Sequence, residues 1–199
     1  MKIAVLGGTF DPIHIGHLLM GEQAYNSFDL DRVIYMPAGI PPHKVDKEIS
    51  KSKHRLKMVK LAVKDNSHFN YSDWELKRDG RSYTVDTLNY MYSKYPDDDI
   101  YFIIGSDSLR DIFQWKDTEY LLENAKFIVA QRPGFTLENI YKDERLRPYR
   151  DYINIMENMM VDISSTRIRQ NVKEGYSIKY MTLPVIIDYI KRNNLYRGE

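Results

Sequence analysis

The sequence has no cysteine. Disulfide frameworks, thiolate zinc sites and cysteine nucleophiles are therefore excluded. It also has no excess charge of one sign: 29 Lys and Arg stand against 28 Asp and Glu, a formal charge of +1. A surface built for nucleic-acid backbone or anionic lipid needs clustered, uncompensated cations. Neither nucleic acid nor a membrane is an expected partner, and any phosphate recognition must be made locally by a few placed groups. No apolar run approaches the roughly 20 residues of a membrane span, and the mean hydropathy is −0.53. The apolar start Met1–Leu6 is too short, and too soon followed by glycine, to act as a signal peptide. A cytoplasmic location is expected. Internal repeats and low-complexity linkers are lacking as well. What is present is ordinary for a folded soluble chain: 199 residues, 43% hydrophobic and 29% charged, which rules out a disordered polypeptide and fits one domain over residues 1–199.

Short apolar runs alternate with stretches of helical spacing. Residues 2–6 (KIAVL) read as a buried strand entering Gly7-Gly8, and Ile13 to about Ser27 as a helix. Arg32–Met36 is a second strand closed by Pro37, so the strand–helix–strand order implies a parallel pair with a right-handed crossover. A helix is predicted through Arg55–Val63, a β-prone stretch over Phe69–Leu76, and a helix over Thr84 to about Lys94. Ile100–Ile104 is the most strand-like run. Leu121–Ala125 reads as the end of a helix, Phe127–Ala130 as a strand, and Pro184–Asn193 as a terminal packing helix. The charged stretch Leu137–Pro148 reads as a surface excursion. The pattern predicts an α/β fold: a Rossmann-like, doubly wound, mostly parallel sheet with helices on both faces. The C-terminal helical part, about 164–199, is expected to pack on it.

Two segments carry chemistry. The first is Gly7-Gly8-Thr9-Phe10-Asp11-Pro12-Ile13-His14-Ile15-Gly16-His17. It lies between a buried strand and a helix, where open α/β sheets bind ligands. It is neither a Walker A loop nor GxGxxG. The glycines let backbone approach a ligand, and the helix start offers N–H groups and positive dipole potential suited to phosphate. His14 and His17 share the first helical turn. Two imidazoles there can donate to a phosphate oxygen as charge builds in a transition state. Zinc is a poor reading, because no suitable third ligand stands nearby. An isolated pair of this kind would more often be a loop residue and a packed histidine; the preceding strand, the glycines and Thr9 favour phosphate.

The second segment is Ile163-Ser164-Ser165-Thr166-Arg167-Ile168-Arg169. One hydroxyl suffices for an N-cap. Three hydroxyls with guanidinium groups one turn on point to a second polyphosphate clamp. Together the two segments suggest a triphosphate held between two helix starts.

GGTFDPIHIGH followed much later by ISSTRIR resembles the nucleotidyltransferases that share an HxGH motif and, more narrowly, the bacterial nicotinate-nucleotide adenylyltransferases. Glu75–Leu88 (ELKRDGRSYTVDTL) resembles that family's substrate-side segment and Tyr101–Leu109 (YFIIGSDSL) its central strand and turn; Trp115, Arg132-Pro133-Gly134 and the ending LP…YI…LY fit too. The resemblance spans essentially the whole chain. It implies attack of the 5′-phosphate of nicotinate mononucleotide on the α-phosphate of ATP, giving the dinucleotide and pyrophosphate, with Mg²⁺ accompanying ATP. The attacking group is already an anion, so alignment and charge neutralisation are the main tasks.

Residue roles follow from the resemblance. Gly8, Thr9 and Phe10 would meet the phosphates, with Gly8 and Thr9 also serving the mononucleotide. His14 and His17 would contact the ATP phosphates, His17 nearest the reacting centre. Ile163, Ser164, Ser165, Thr166 and Arg169 would hold the triphosphate, Arg167 being the weaker choice. Gly105 and Asp107 would meet the nucleotide, Asp107 through a ribose hydroxyl. Lys44 would reach between the two substrates' phosphates. Thr84 and Trp115 would serve the pyridine ring, with Arg132 near the ligand; Trp74 is assigned to packing. The rival readings are a nicotinamide mononucleotide or pantetheine-phosphate adenylyltransferase and a non-catalytic nucleotide sensor. Monomer and homodimer are both expected possibilities.

Overall fold

The computed structural model describes residues 1–40, 49–131, 142–157 and 161–197. Six strands form one sheet: β1 (Lys2–Gly8), β2 (Arg32–Pro37), β3 (Phe69–Tyr71), β4 (Asp99–Gly105), β5 (Lys126–Ala130) and β6 (Ile153–Met156). Their order is β3-β2-β1-β4-β5-β6, and every pairing is parallel. This is the doubly wound arrangement whose ligand crevice opens where the strand order reverses, beyond the carboxyl ends of β1 and β4.

The strands read as continuous apolar runs because both faces are covered. Along β1, Ala4 and Leu6 join one buried cluster, and Ile3 and Val5 join the other. The same period of two sends Val33 and Tyr35 of β2 to the first face and Ile34 and Met36 to the second. The first face is covered by α1 (Ile15–Ser27), α2 (Ser52–Val63), α6 (Ser165–Lys173) and α7 (Pro184–Arg192); Ile168, Ile186 and Ile190 share its core with Met58 and Val59. The second is covered by α3 (Thr84–Lys94), α4 (Ser106–Arg110) and α5 (Thr118–Asn124), through Val85, Leu88, Leu109 and Leu121. Among the described residues no helix is long and apolar enough to cross a membrane.

Two linked expectations, the extent of the strand at 69–76 and the place of Trp74 within it, need correction. The β-prone stretch 69–76 keeps strand geometry only to Tyr71, then turns into a 3₁₀ segment, Glu75–Lys77. Trp74 therefore lies outside the strand, although it does pack, stacking on Tyr90 at 4.3 Å with the Arg78 guanidinium 4.6 Å from its ring. The charged excursion includes a 3₁₀ helix, Glu144–Tyr152, anchored by Leu146 in the core. It leads into β6, whose four residues are too few to announce a strand by periodicity.

Helix α1 approaches the sheet closely. Its buried residues are small, Gly21 and Ala24, and a Cβ on Gly21 would collide with the Tyr35 hydroxyl and come within 3.4 Å of Phe69. Tyr35 is fully buried and donates to the His17 carbonyl at 3.3 Å, so it cannot yield without disturbing the first turn of α1. Gly21→Ala is expected to lower unfolding free energy by about 1–3 kcal/mol, read from denaturant midpoints. An unchanged midpoint would contradict the close approach.

Candidate active site

The β1–β4 register pairs Leu6 with Ile103. Gly8 and Gly105, each two residues beyond that last β1–β4 pair, close their strands at the reversal point, and the Gly8 carbonyl accepts from Ala38 N–H beyond β2 at 2.8 Å. Open space lies beside Gly7, where an added Cβ would meet nothing within 4 Å. At Gly8 a Cβ would stand 3.0 Å from the Phe10 ring. Gly8 is thus small for packing as well as for approach. Phe10 takes a positive φ of 49° and buries its ring in the core, edge-on to His17 at 5.0 Å between centroids. What Phe10 can offer a ligand is its backbone, together with the support it gives His17.

His14 caps α1 and is 6% exposed. Its ring stacks on that of half-buried His17 at 3.6 Å and 21°. The His14 backbone N–H donates to His17 Nδ1 at 3.3 Å. An accepting Nδ1 carries no proton, so the neutral His17 ring holds its proton on Nε2 and presents a donor there. Gly16 permits this stack: a Cβ would lie 3.2 Å from the His14 ring, and 3.8 Å from the Ile163 carbonyl on the other side.

That last neighbour, Ile163, belongs to the second segment, 147 positions along the chain from Gly16. Ser165 Oγ donates to the Pro12 carbonyl at 2.8 Å, and Arg169 Nη1 to the Asp11 carbonyl at 2.8 Å. The two helix starts are joined directly. The three hydroxyls divide their work: Ser164 caps α6 by accepting from Arg167 N–H at 3.2 Å, Ser165 docks on the α1 loop, and exposed Thr166 accepts from Arg169 Nη2 at 3.2 Å. The hydroxyls are therefore less spare than their number suggests. The stronger anion donors of this segment are the first N–H groups of the nine-residue α6 and the remaining guanidinium N–H groups of Arg169. The Arg167 side chain is exposed.

On the opposite face of the sheet, Thr84 opens α3 and half-buried Trp115 follows α4. Because α3 precedes β4 and α4 follows it, both residues belong to the carboxyl edge of the sheet. Trp115 lines an open cleft of about 680 Å³ with Val85, Asn89, Phe113 and Thr118. Gly105 caps α4, and Asp107 lies in its first turn. Lys44 and Arg132 lie outside the described residues.

Several contacts of the site left no readable mark in the sequence. Asp11 is buried, and its carboxylate accepts from Ser50 N–H at 3.1 Å and from the Tyr196 hydroxyl at 2.6 Å. Burial and the neighbouring Asp11 charge push the Tyr196 phenol well above its ordinary pKa. Thr182 Oγ1 donates to the Ile13 carbonyl at 2.8 Å, and Ile15 N–H donates to the Met181 carbonyl at 3.1 Å. The partner separations, up to 185 positions, are beyond any local pattern.

Residues 5–171 match the model of the cytidylyltransferase-like family. A protein of Desulfitobacterium hafniense named "probable nicotinate-nucleotide adenylyltransferase" is 44% identical, covering 98% of this chain and 96% of its own. The chain belongs to the nicotinate-nucleotide adenylyltransferase family. A Clostridium perfringens member of the same name is 40% identical over 100% of this chain and 99% of its own. The nicotinic acid mononucleotide adenylyltransferase of Plasmodium falciparum, solved in complex with NaAD, superposes with a TM-score of 0.80 at 25% identity, covering 98% and 97% of the two chains. In this member of the nicotinate-nucleotide adenylyltransferase family the paired helix starts and the strand-end glycines lie at the carboxyl edge of the sheet, where open α/β folds bind their ligands.

Proposed function

We propose that the chain catalyses adenylyl transfer from ATP to nicotinate mononucleotide, and that the junction of α1 and α6 is where the ATP tail is held. The observation that carries this reading is the direct bonding of the two helix starts, Ser165 to Pro12 and Arg169 to Asp11. A phosphate oxygen of the mononucleotide forms a bond to the α-phosphorus of ATP, and the bond from that phosphorus to the bridging oxygen of pyrophosphate breaks. The electron pair leaves with pyrophosphate, so the negative charge that must be met grows on the β- and γ-phosphates.

The His17 Nε2–H, the N-terminal amides of α6 and Arg169 are the donors proposed for that charge. Thr9, at the end of β1, is proposed to orient the reacting phosphates. Thr84 and Trp115 are proposed for the pyridine ring, which an indole face can stack upon; Gly105 and Asp107 are proposed for the nucleotide. Lys44 and Arg132 keep the roles implied by the family resemblance. Among the described residues no group of three or more His, Asp or Glu side chains could hold a metal ion. Mg²⁺ would accompany ATP as the MgATP substrate and supply charge neutralisation at its phosphates. A cytoplasmic location belongs to the same proposal.

The test is product formation from MgATP with nicotinate mononucleotide, nicotinamide mononucleotide or 4′-phosphopantetheine as acceptor. Dinucleotide and pyrophosphate in equal amounts, fastest with the nicotinate acceptor, are expected. Preference for either other acceptor would reassign the substrate. Binding of ATP and nicotinate mononucleotide without product would make the protein a sensor.

A further inference from the structure

Arg55 of α2 is 2% exposed, and no carboxylate of the described residues forms an ion pair with it within 4 Å. Its guanidinium is spent on three backbone carbonyls from three separate segments. Nη1 donates to Thr9 at 2.8 Å, Nε to Ser50 at 3.2 Å, and Nη2 to Gly39 at 3.3 Å. Burial pulls its pKa down while the field of nearby Asp11 pulls it up. A buried cation that serves only stability is an expensive choice, since an apolar side chain of similar volume does as well or better. Here the planar fork supplies something an apolar residue or a lysine cannot: donors in three fixed directions.

Each of the three carbonyls leads to a different part of the site. Thr9 belongs to the loop that ends on His14 and His17. Ser50 is gripped from both ends, its carbonyl by Arg55 and its N–H by the Asp11 carboxylate at 3.1 Å. The Asp11 carbonyl is in turn the anchor of Arg169. Gly39 follows β2, and its N–H donates to Ser82 Oγ at 2.8 Å, while Ser82 N–H donates to the Ile40 carbonyl at 3.0 Å. Ser82 stands two residues before Thr84, at the opening of α3. Gly39 has no room to drift, because a Cβ there would already stand 2.5 Å from the Glu75 carbonyl. One guanidinium therefore connects the loop proposed to hold ATP with the wall proposed to hold the mononucleotide.

We propose that Arg55 is a positioning residue for adenylyl transfer, fixing the register of the Thr9 loop against the Gly39–Ser82 wall so that the two substrates' phosphates meet in line. The proposal rests on the adenylyl-transfer reading above. In a direct displacement with no covalent intermediate, the relative placement of the two reacting groups sets the rate, whereas each substrate is bound by its own side of the site. Loosening the connection is therefore read in kcat and not in either binding constant.

The experiment is Arg55→Lys in the full chain, assayed with whichever acceptor the wild type turns over fastest, so that a wrong acceptor assignment leaves the comparison intact. Expected are a kcat about 10²-fold lower and dissociation constants for ATP and acceptor, each titrated alone, within about threefold of wild type. Hydrogen exchange supplies a readout independent of activity: peptides containing Thr9 and Gly39 should exchange faster, and those from α5 should not. Arg55→Ala provides the second arm, in which added methylguanidinium is expected to restore part of kcat and methylammonium is not. A lysine variant with wild-type kcat, a loss carried wholly by substrate dissociation constants, or an alanine variant indifferent to methylguanidinium would each overturn the proposal.

Discussion

Replacing His17 with alanine is expected to lower kcat by about 10²–10³-fold, the usual consequence of deleting one preorganised donor to developing charge. The geometry behind this number is specific. The His14 N–H on Nδ1 at 3.3 Å holds the His17 ring in the tautomer that presents Nε2–H. The stack with His14 at 3.6 Å and the edge contact with Phe10 at 5.0 Å fix its plane. A donor locked in this way needs no reorganisation when charge moves onto pyrophosphate. The stability cost should be modest, about 1–3 kcal/mol for the two lost ring pairs together, because His17 is only half-buried and its backbone carbonyl still accepts from Tyr35. Steady-state kinetics beside a thermal melt separates the two effects. A variant with a wild-type rate would remove His17 from the mechanism.

Arg169→Ala is the second large effect. The side chain holds the Asp11 carbonyl at 2.8 Å and the Thr166 hydroxyl at 3.2 Å, so its loss frees the α1 loop from α6 and also removes a charge from the proposed triphosphate site. Hydrogen bonds to charged groups contribute about 1.5–3 kcal/mol, which sets the expected fall in kcat/KM for ATP at roughly 10–10²-fold. The KM for the mononucleotide should change little. Arg169→Lys tests the geometry: a lysine keeps the charge but cannot reach the Asp11 carbonyl and the Thr166 hydroxyl as a fork does. It should therefore recover only part of the loss. Equal effects on both substrates would show that Arg169 supports the fold of the site as a whole instead of gripping ATP.

The order of strands and helices was legible because a parallel sheet covered on both faces writes itself as apolar runs closed by glycine or proline. Ile100–Ile104 and Phe127–Ala130 are examples, each enlarged in the structure by only a residue or two at its ends. Strand β6 was not legible, since Ile153-Asn154-Ile155-Met156 offers only two apolar–polar alternations after a charged stretch. The site was legible where its chemistry is local. His14, Gly16 and His17 share one turn, and the run of hydroxyls marks the start of α6. It was not legible where partners come from distant chain. That Ser165 is used to dock on Pro12, or that Tyr196 reaches Asp11, depends on the packing of α6 and α7 against α1 and α2. Arg55 is the clearest case: in sequence it is one cation among several in a helix with no acidic residue, and only the fold reveals that its head is turned inward onto three carbonyls.

The most direct measurement is a crystal structure of the protein with MgATP in which the α–β bridging oxygen is replaced by a methylene group. The account predicts a single triphosphate with oxygens about 2.7–3.2 Å from both His17 Nε2 and the first backbone amides of α6. A triphosphate bound at only one of these helix starts, with the other facing solvent, would contradict it.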